Sequence, residues 1–141
     1  MNTQRISLTT LGVRDISAAV AFYRKLDWEP FHHEQDVAFY RMNGAVFGFF
    51  TLDGLARETN CAPEDMGTGA MTLAQNFPTE AEVDAAYNTA IEAGAKALKP
   101  PTKADWGGYF CSWADPDGHV WQYAMNPFWP LDDDGNVSLP E

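Results

Sequence analysis

The run "RISLTTLGV" at residues 5–13 interleaves apolar and small polar residues as a strand does, and the period then changes. Through "RDISAAVAFYRKLDW" the apolar residues Ile16, Ala19, Val20, Tyr23 and Leu26 recur at helical spacing. Asp15 stands just ahead of them, where a carboxylate can accept from the first free N–H groups. The pattern predicts a strand and then a helix. Two short apolar runs follow, "DVAFY" at 36–40 and "AVFGFFT" at 45–51, joined by "RMNG", whose Asn43-Gly44 pair is a hairpin turn signal. With one more short strand expected around Trp28 to Phe31, the first half reads βαβββ.

The second half repeats that order. "AMTLAQNF" has strand character, and "PTEAEVDAAYNTAIEAG" has the marks of a helix. Thr79 and Glu82 are spaced as a capping box, Val83, Tyr87 and Ile91 share a face, and Gly94 supplies the stop. "AKAL", "GYFCSWA" and "HVWQYAM" then read as strands, with Asp115 to Gly118 as the turn between the last two. Val13 and Phe77 end the first strand of each half, and Tyr23 and Tyr87 hold the same place on each helix, at the same interval. The fold class expected is therefore α+β, with two tandem βαβββ modules forming a cupped mixed sheet and the helices outside. The repeat is too long for a solenoid. Module 1 spans about 4–52 and module 2 about 70–126. The linker, 53–69, is rich in Gly, Pro and polar residues, and the Pro-rich tail, 127–141, is expected to be irregular, with its aromatic start packed on the body or on a partner.

Composition narrows the function classes. A chain of 141 residues that is 45% hydrophobic and 13% aromatic reads as one globular domain. Nine Lys plus Arg against 20 Asp plus Glu give a net charge of −11. A field of that sign repels phosphate backbones and anionic lipid heads, so neither nucleic acid nor a membrane is an expected partner. "MNTQRISLTTLG" has neither a signal-peptide pattern nor a membrane span, which makes the cytoplasm the expected compartment. Cys61 and Cys111 lack metal-binding or redox-motif spacing and read as ordinary thiols in a reducing compartment.

Three stretches resemble a known group. "ISLTTLGVRDISAAVAFYRKLDWE", "EVDAAYNTAIEAGAKALKPP" and "WGGYFCSWADPDGHVWQYAMNP" are similar to the opening strand and helix, the second helix and the closing hairpin of the vicinal-oxygen-chelate superfamily. That group includes glyoxalase I, extradiol dioxygenases and bleomycin-resistance proteins. The resemblance implies a single domain of this kind over 1–141. Metal-using members hold a divalent ion with His and Glu side chains from the first and last strand of each module. Carried over, those positions fall on Leu8 and Gly48 in module 1 and on Thr72 and Gln122 in module 2. Leu8 and Gly48 offer no side-chain donor, Thr72 a neutral hydroxyl and Gln122 a neutral amide, whereas a divalent catalytic site needs imidazole or carboxylate. No metal and no other cofactor are therefore expected. His32 and His33 are sequence neighbours whose side chains point apart if extended. His119 reads as a turn-bracing residue, and "DDDG" at 132–135 reads as a solvated turn without the downstream Glu of a calcium loop.

Ligand contact is expected instead from residues facing the cup. Thr10, Thr72, Asn76 and Gln122 supply polar groups, beside Leu8 and Gly48. Phe47, Phe49 or Phe50 lines a wall according to strand parity, Phe50 being the one placed with Gly48 among the expected contacts, and Trp106 and Tyr109 stand at the mouth. No catalytic residue can be assigned, because no nucleophile–base set and no phosphate-binding loop is present. The expected function is metal-free binding of a small organic molecule by a homodimer, the ligand being neutral or cationic and partly aromatic because the net charge attracts cations and aromatic faces hold flat groups. Two other classes stay open: a lyase, isomerase or dioxygenase with a displaced metal site, and a regulator or subunit whose cup is filled by its own side chains.

Overall fold

Asp15 starts the first helix, α1 (Ile16–Arg24), as its position predicts: its backbone is extended, and its side chain accepts from the Ala18 N–H at 3.0 Å. Ile16, Ala19, Val20, Phe22 and Tyr23 are buried along α1. The sheet beside it contains β1 (Leu8–Val13), β2 (His32–His33), β3 (Val37–Met42) and β4 (Ala45–Thr51), in the order β1-β4-β3-β2. β1 runs parallel to β4, and the other pairs are antiparallel. The structure is a computed structural model and describes residues 4–139. The chain divides into two compact units, Met1–Gly67 and Thr68–Glu141, one for each half of the repeat.

Pairing fixes which residues share a face in the first unit. Leu11, Val13, Ala38, Tyr40, Phe47 and Phe49 form the helix face, all of them buried. Tyr23 of α1 lies 5.0 Å from Phe49 and 5.6 Å from Trp28, and Trp28 stands edge-on to Phe47 at 5.5 Å. Each such ring contributes about 1.5–3 kcal/mol on leaving water, which makes this cluster the centre of the unit's stability.

The second unit repeats the plan with β5 (Leu73–Asn76), the helix at Glu80–Ala93, β6 (Lys96–Lys103), β7 (Tyr109–Ala114) and β8 (Val120–Met125). Its sheet order is β5-β8-β7-β6, again with the outer pair β5 and β8 parallel. The expected Thr79 cap forms, with the Glu82 N–H donating to Thr79 Oγ1 at 3.2 Å, but Glu82 returns to the Thr79 hydroxyl, which donates to its Oε2 at 2.9 Å, and not to the Thr79 backbone N–H that a full capping box uses. Gly94 ends the helix at φ 111°. Cys111, Trp113, Trp121 and Tyr123 are buried on the helix face, with Trp113 stacked on Trp121 at 5.8 Å and 10°.

Three expectations need revision. The short strand placed around Trp28 to Phe31 occurs at His32–His33. Pro30 has no N–H to give to a ladder, and pairing begins with the Phe31 N–H on the Phe39 carbonyl at 2.9 Å. The linker is partly helical, with α2 (Leu52–Thr59) and a 3-10 turn at Pro63–Asp65; the helix at Glu80–Ala93 is thus α3. Thr51 caps α2 by accepting from the Gly54 N–H at 3.0 Å, and Asn60 ends it in the left-handed conformation. The tail is not wholly irregular, since Leu131 and Val137 form a bridge around the acidic turn.

The two aspartate-led turns share one construction. Asp115 Oδ1 accepts from the N–H groups of Asp117 and His119, and Asp132 Oδ1 accepts from those of Asp134 and Asn136. Gly118 and Gly135 each take the positive φ that closes the loop, 92° and 83°. Among the described residues, no helix is long and apolar enough to cross a membrane.

Candidate functional site

The far face of each sheet, opposite its long helix, carries Leu8, Thr10, Gly48, Phe50, Asn76 and Gln122 of the residues predicted to face a cup, whereas Phe47 and Phe49 are buried on the helix face. In the first unit, register places Leu8, Thr10 and Gly12 on that face with Val46, Gly48 and Phe50 of β4, and then Val37, Phe39 and Arg41 of β3. One end is covered by α2: a Cβ at Gly12 would stand 2.7 Å from Leu52 Cδ2. The centre is covered by Phe39, whose Cδ1 would stand 2.8 Å from a Cβ at Gly48. That ring stacks beside Phe31 at 6.3 Å and beside His32 at 6.2 Å, and the Arg41 guanidinium lies 4.5 Å from the Phe31 ring centre. His32 Nε2 is 3.4 Å from Glu34 Oε1. Gly48 therefore does more than omit a metal ligand: its missing side chain is the space Phe39 uses.

In the second unit the far face is more polar. Ala74 pairs with Gln122, Gln122 with Ser112 and Ser112 with Lys99, forming one row across all four strands. Asn76 belongs to the next row, beside Ala124 and Phe110. Thr72 lies just ahead of β5. Among the described residues the side chains of Gln122 and Ser112 have no hydrogen-bond partner, and both are half-buried.

Trp106 stands in the turn between β6 and β7, half-exposed, with its ring folded over Gly108. Phe128 packs over the neighbouring Gly107, where a Cβ would stand 3.2 Å from Phe128 Cε2, so the aromatic start of the tail does rest on the body. Tyr109, expected beside Trp106 at the mouth, is on the opposite face. It shares parity with buried Cys111 and Trp113, and its hydroxyl donates to Asp84 Oδ1 of α3 at 2.7 Å. Counting back from Gln122 across the Asp115 turn would have found this, because Ser112 and not Tyr109 falls in register with Gln122.

The carboxylate of Asp84 and partial burial push the Tyr109 pKa up to about 12. A pKa raised above the unfolded value near 10 means stability that is present below about pH 10 and lost as pH rises through the folded value. Tyr109→Phe should lower the urea midpoint near neutrality, and the gap from the parent should close between about pH 10 and pH 12. An unchanged gap across that range, measured by circular dichroism, would show that the hydrogen bond does not support the fold. Burial, with a smaller contribution from the Asp84 charge, pushes the Cys111 thiol up to about 11, which keeps it in the poorly nucleophilic thiol form at neutral pH.

Among the described residues, no three His, Cys, Asp or Glu side chains gather where they could hold a metal ion. The model of the Glyoxalase/Bleomycin resistance protein/Dioxygenase superfamily matches residues 5–123. The chain belongs to that superfamily. Among solved structures it is similar to a glyoxalase-related enzyme from Fulvimarina pelagi, with 34% identity and a TM-score of 0.92 over 99% of this chain and 100% of that one. A glyoxalase/bleomycin resistance protein/dioxygenase family enzyme from Burkholderia phytofirmans shares 22% identity at a TM-score of 0.75, over 84% of this chain and 96% of that one. A lactoylglutathione lyase from Agrobacterium tumefaciens shares 20% identity at 0.72, over 93% and 100%. At those lower identities the likeness is one of fold. No curated protein matched the sequence.

Within the glyoxalase superfamily a divalent metal is the implied cofactor, and the residues of this chain do not fit one. At the four positions to which the resemblance points, Leu8 and Gly48 have no donor atom and Thr72 and Gln122 have only neutral oxygen or nitrogen. Of the two first-unit positions, Gly48 lies under the Phe39 ring. Three useful residues escaped the sequence reading. Ser112 could have been found from hairpin register, whereas Phe39 and Lys99 gave no signal short of the tertiary structure.

Proposed function

We propose that this glyoxalase-superfamily protein binds a small, partly aromatic organic molecule on the far faces of its sheets, without a catalytic metal, and works as a cytoplasmic homodimer. The donor set carries this reading. Leu8, Gly48, Thr72 and Gln122 occupy the positions that the family uses for metal ligands. Phe39 lies across Gly48, and Gln122 keeps an uncharged amide beside Ser112 that can orient a ligand without polarising it for reaction. Exposed Phe31, Trp106, Phe128 and Trp129 supply apolar surface for self-association, and two free thiols suit a reducing compartment.

Protein purified without chelator should contain no stoichiometric Ni, Zn, Fe or Mn by elemental analysis, and light scattering at micromolar concentration should give a dimer mass. A single transition metal per chain, lost when Thr72 and Gln122 are replaced by alanine, would sink the metal-free reading. A monomer mass would remove the dimer. The second reading, a lyase, isomerase or dioxygenase with an unconventional metal site, draws support from the similarity to the Fulvimarina pelagi enzyme. It would take over if the metal were found.

A further inference from the structure

Charge on the strands runs against the charge of the chain. Among the described residues no strand contains Asp or Glu, although the sequence has 20 of them; the described acids lie on helices, turns and loops. The strands nonetheless carry Arg41, Lys96, Lys99 and Lys103. Lys103 is on the helix face, 3.9 Å from Glu80 of α3. Lys96 and Lys99 are in register with Ala114 and Ser112, on the far face of the second unit. Among the described residues Lys99 has no ion-pair partner; its ammonium sits 5.1 Å from the Phe110 ring centre on the same face.

The row through Gln122, Ser112 and Lys99 therefore presents an amide NH2, a hydroxyl and an ammonium from three adjacent strands, spaced about 4.8 Å apart at the backbone. Ala74 completes this row on β5, and the short side chains of Ala114 and Ala124 stand beside it. Lysine and proline on an edge strand also discourage sheet-to-sheet pairing, and Lys99-Pro100-Pro101 on β6 suits that role. Edge protection explains neither the absence of acids from the face nor two half-buried polar side chains left unpartnered beside the ammonium.

We propose that the far face of the second unit recognises the carboxylate of a small organic monoanion, with Lys99, Ser112 and Gln122 as its donors. This rests on the small-molecule reading above and reverses the ligand charge expected from the whole chain. Net charge acts at long range, whereas recognition is decided by the groups within hydrogen-bond reach, where Lys99 brings a positive charge, Ser112 and Gln122 can each donate, and no strand carboxylate competes. The same long-range field disfavours dianions and trianions, which is why one carboxylate is preferred to a phosphate.

Titration of the isotope-labelled full chain with benzoate, benzamide and inorganic phosphate, followed by nuclear magnetic resonance, tests this. Benzoate should shift the Gln122 side-chain amide and the Ser112 backbone, and its affinity should fall as salt rises. Lys99→Met should weaken benzoate about tenfold, the loss of one charge-assisted hydrogen bond. Lys99→Arg should restore most of the binding, and Lys103→Met, on the other face, should leave it unchanged. Benzamide binding at the same residues as tightly as benzoate would overturn the anion inference while supporting the small-molecule reading. Tighter binding of phosphate would overturn the carboxylate assignment. If none of the three probes perturbs Gln122 or Ser112, or if these residues shift only with protein concentration because a second chain covers them, the inference and the small-molecule reading of this face both fall.

Discussion

Trp113→Ala is expected to lower the stability of the second unit by about 3–5 kcal/mol, the range for truncating a fully buried tryptophan. Trp113 has no exposed surface, stacks on Trp121, and meets Tyr123 edge-on at 5.4 Å. Its neighbours belong to paired strands and cannot collapse far into the space it leaves. Urea unfolding followed by circular dichroism should show a lower midpoint with an unchanged slope; a loss under about 1 kcal/mol would mean that the helix face repacks readily. Gln122→Ala, next to Trp121 in sequence but on the other face, should change stability by no more than about 0.5 kcal/mol, since no protein partner is lost. Adjacent residues on one strand thus divide between holding the sheet together and presenting donors.

That division explains what was legible in the sequence. Helix periodicity, the Asp15 and Thr79 caps and the Asn43-Gly44 and Asp115–Gly118 turns are local, and each forms where its residues predict. Face assignment is nearly local, because it needs only strand parity and one fixed register. Tyr109 was misplaced for want of that register, as Gly107 and Gly108 gave no pattern from which to count. Helix α2 was hidden by composition: Gly54 and a polar face resemble a linker, and its fixed points are the Thr51 cap and the contacts of Leu52 and Leu55 with Gly12. The surroundings of Lys99 depend on irregular pairing in β6, where register shifts lie on both sides of it. Such shifts depend on the tertiary course of the strand, and no local signal marks them.

Gly48→Glu puts a carboxylate where the family resemblance points to one in metal-using members, and it should fail to create a metal site. At Gly48 a Cβ would stand 2.8 Å from Phe39 Cδ1 and 3.2 Å from the Ala38 carbonyl oxygen, so either the ring or the strand must move. Moving the ring means giving up its stacking on Phe31 and His32, and forced displacement of this kind costs about 1–3 kcal/mol. Leu8 and Thr72 would still lack imidazole or carboxylate donors, so the new Glu would be one charged ligand without partners. Combining Gly48→Glu with Phe39→Ala should be less damaging than the sum of the two single changes, because the second removes the atoms that the first meets. Thermal and urea unfolding of the four proteins, with elemental analysis after zinc and nickel addition, would decide the matter. A Gly48→Glu variant as stable as the parent would show that Phe39 swings aside freely. One that bound metal stoichiometrically would show that a single substitution separates this face from the metal-using members of the superfamily.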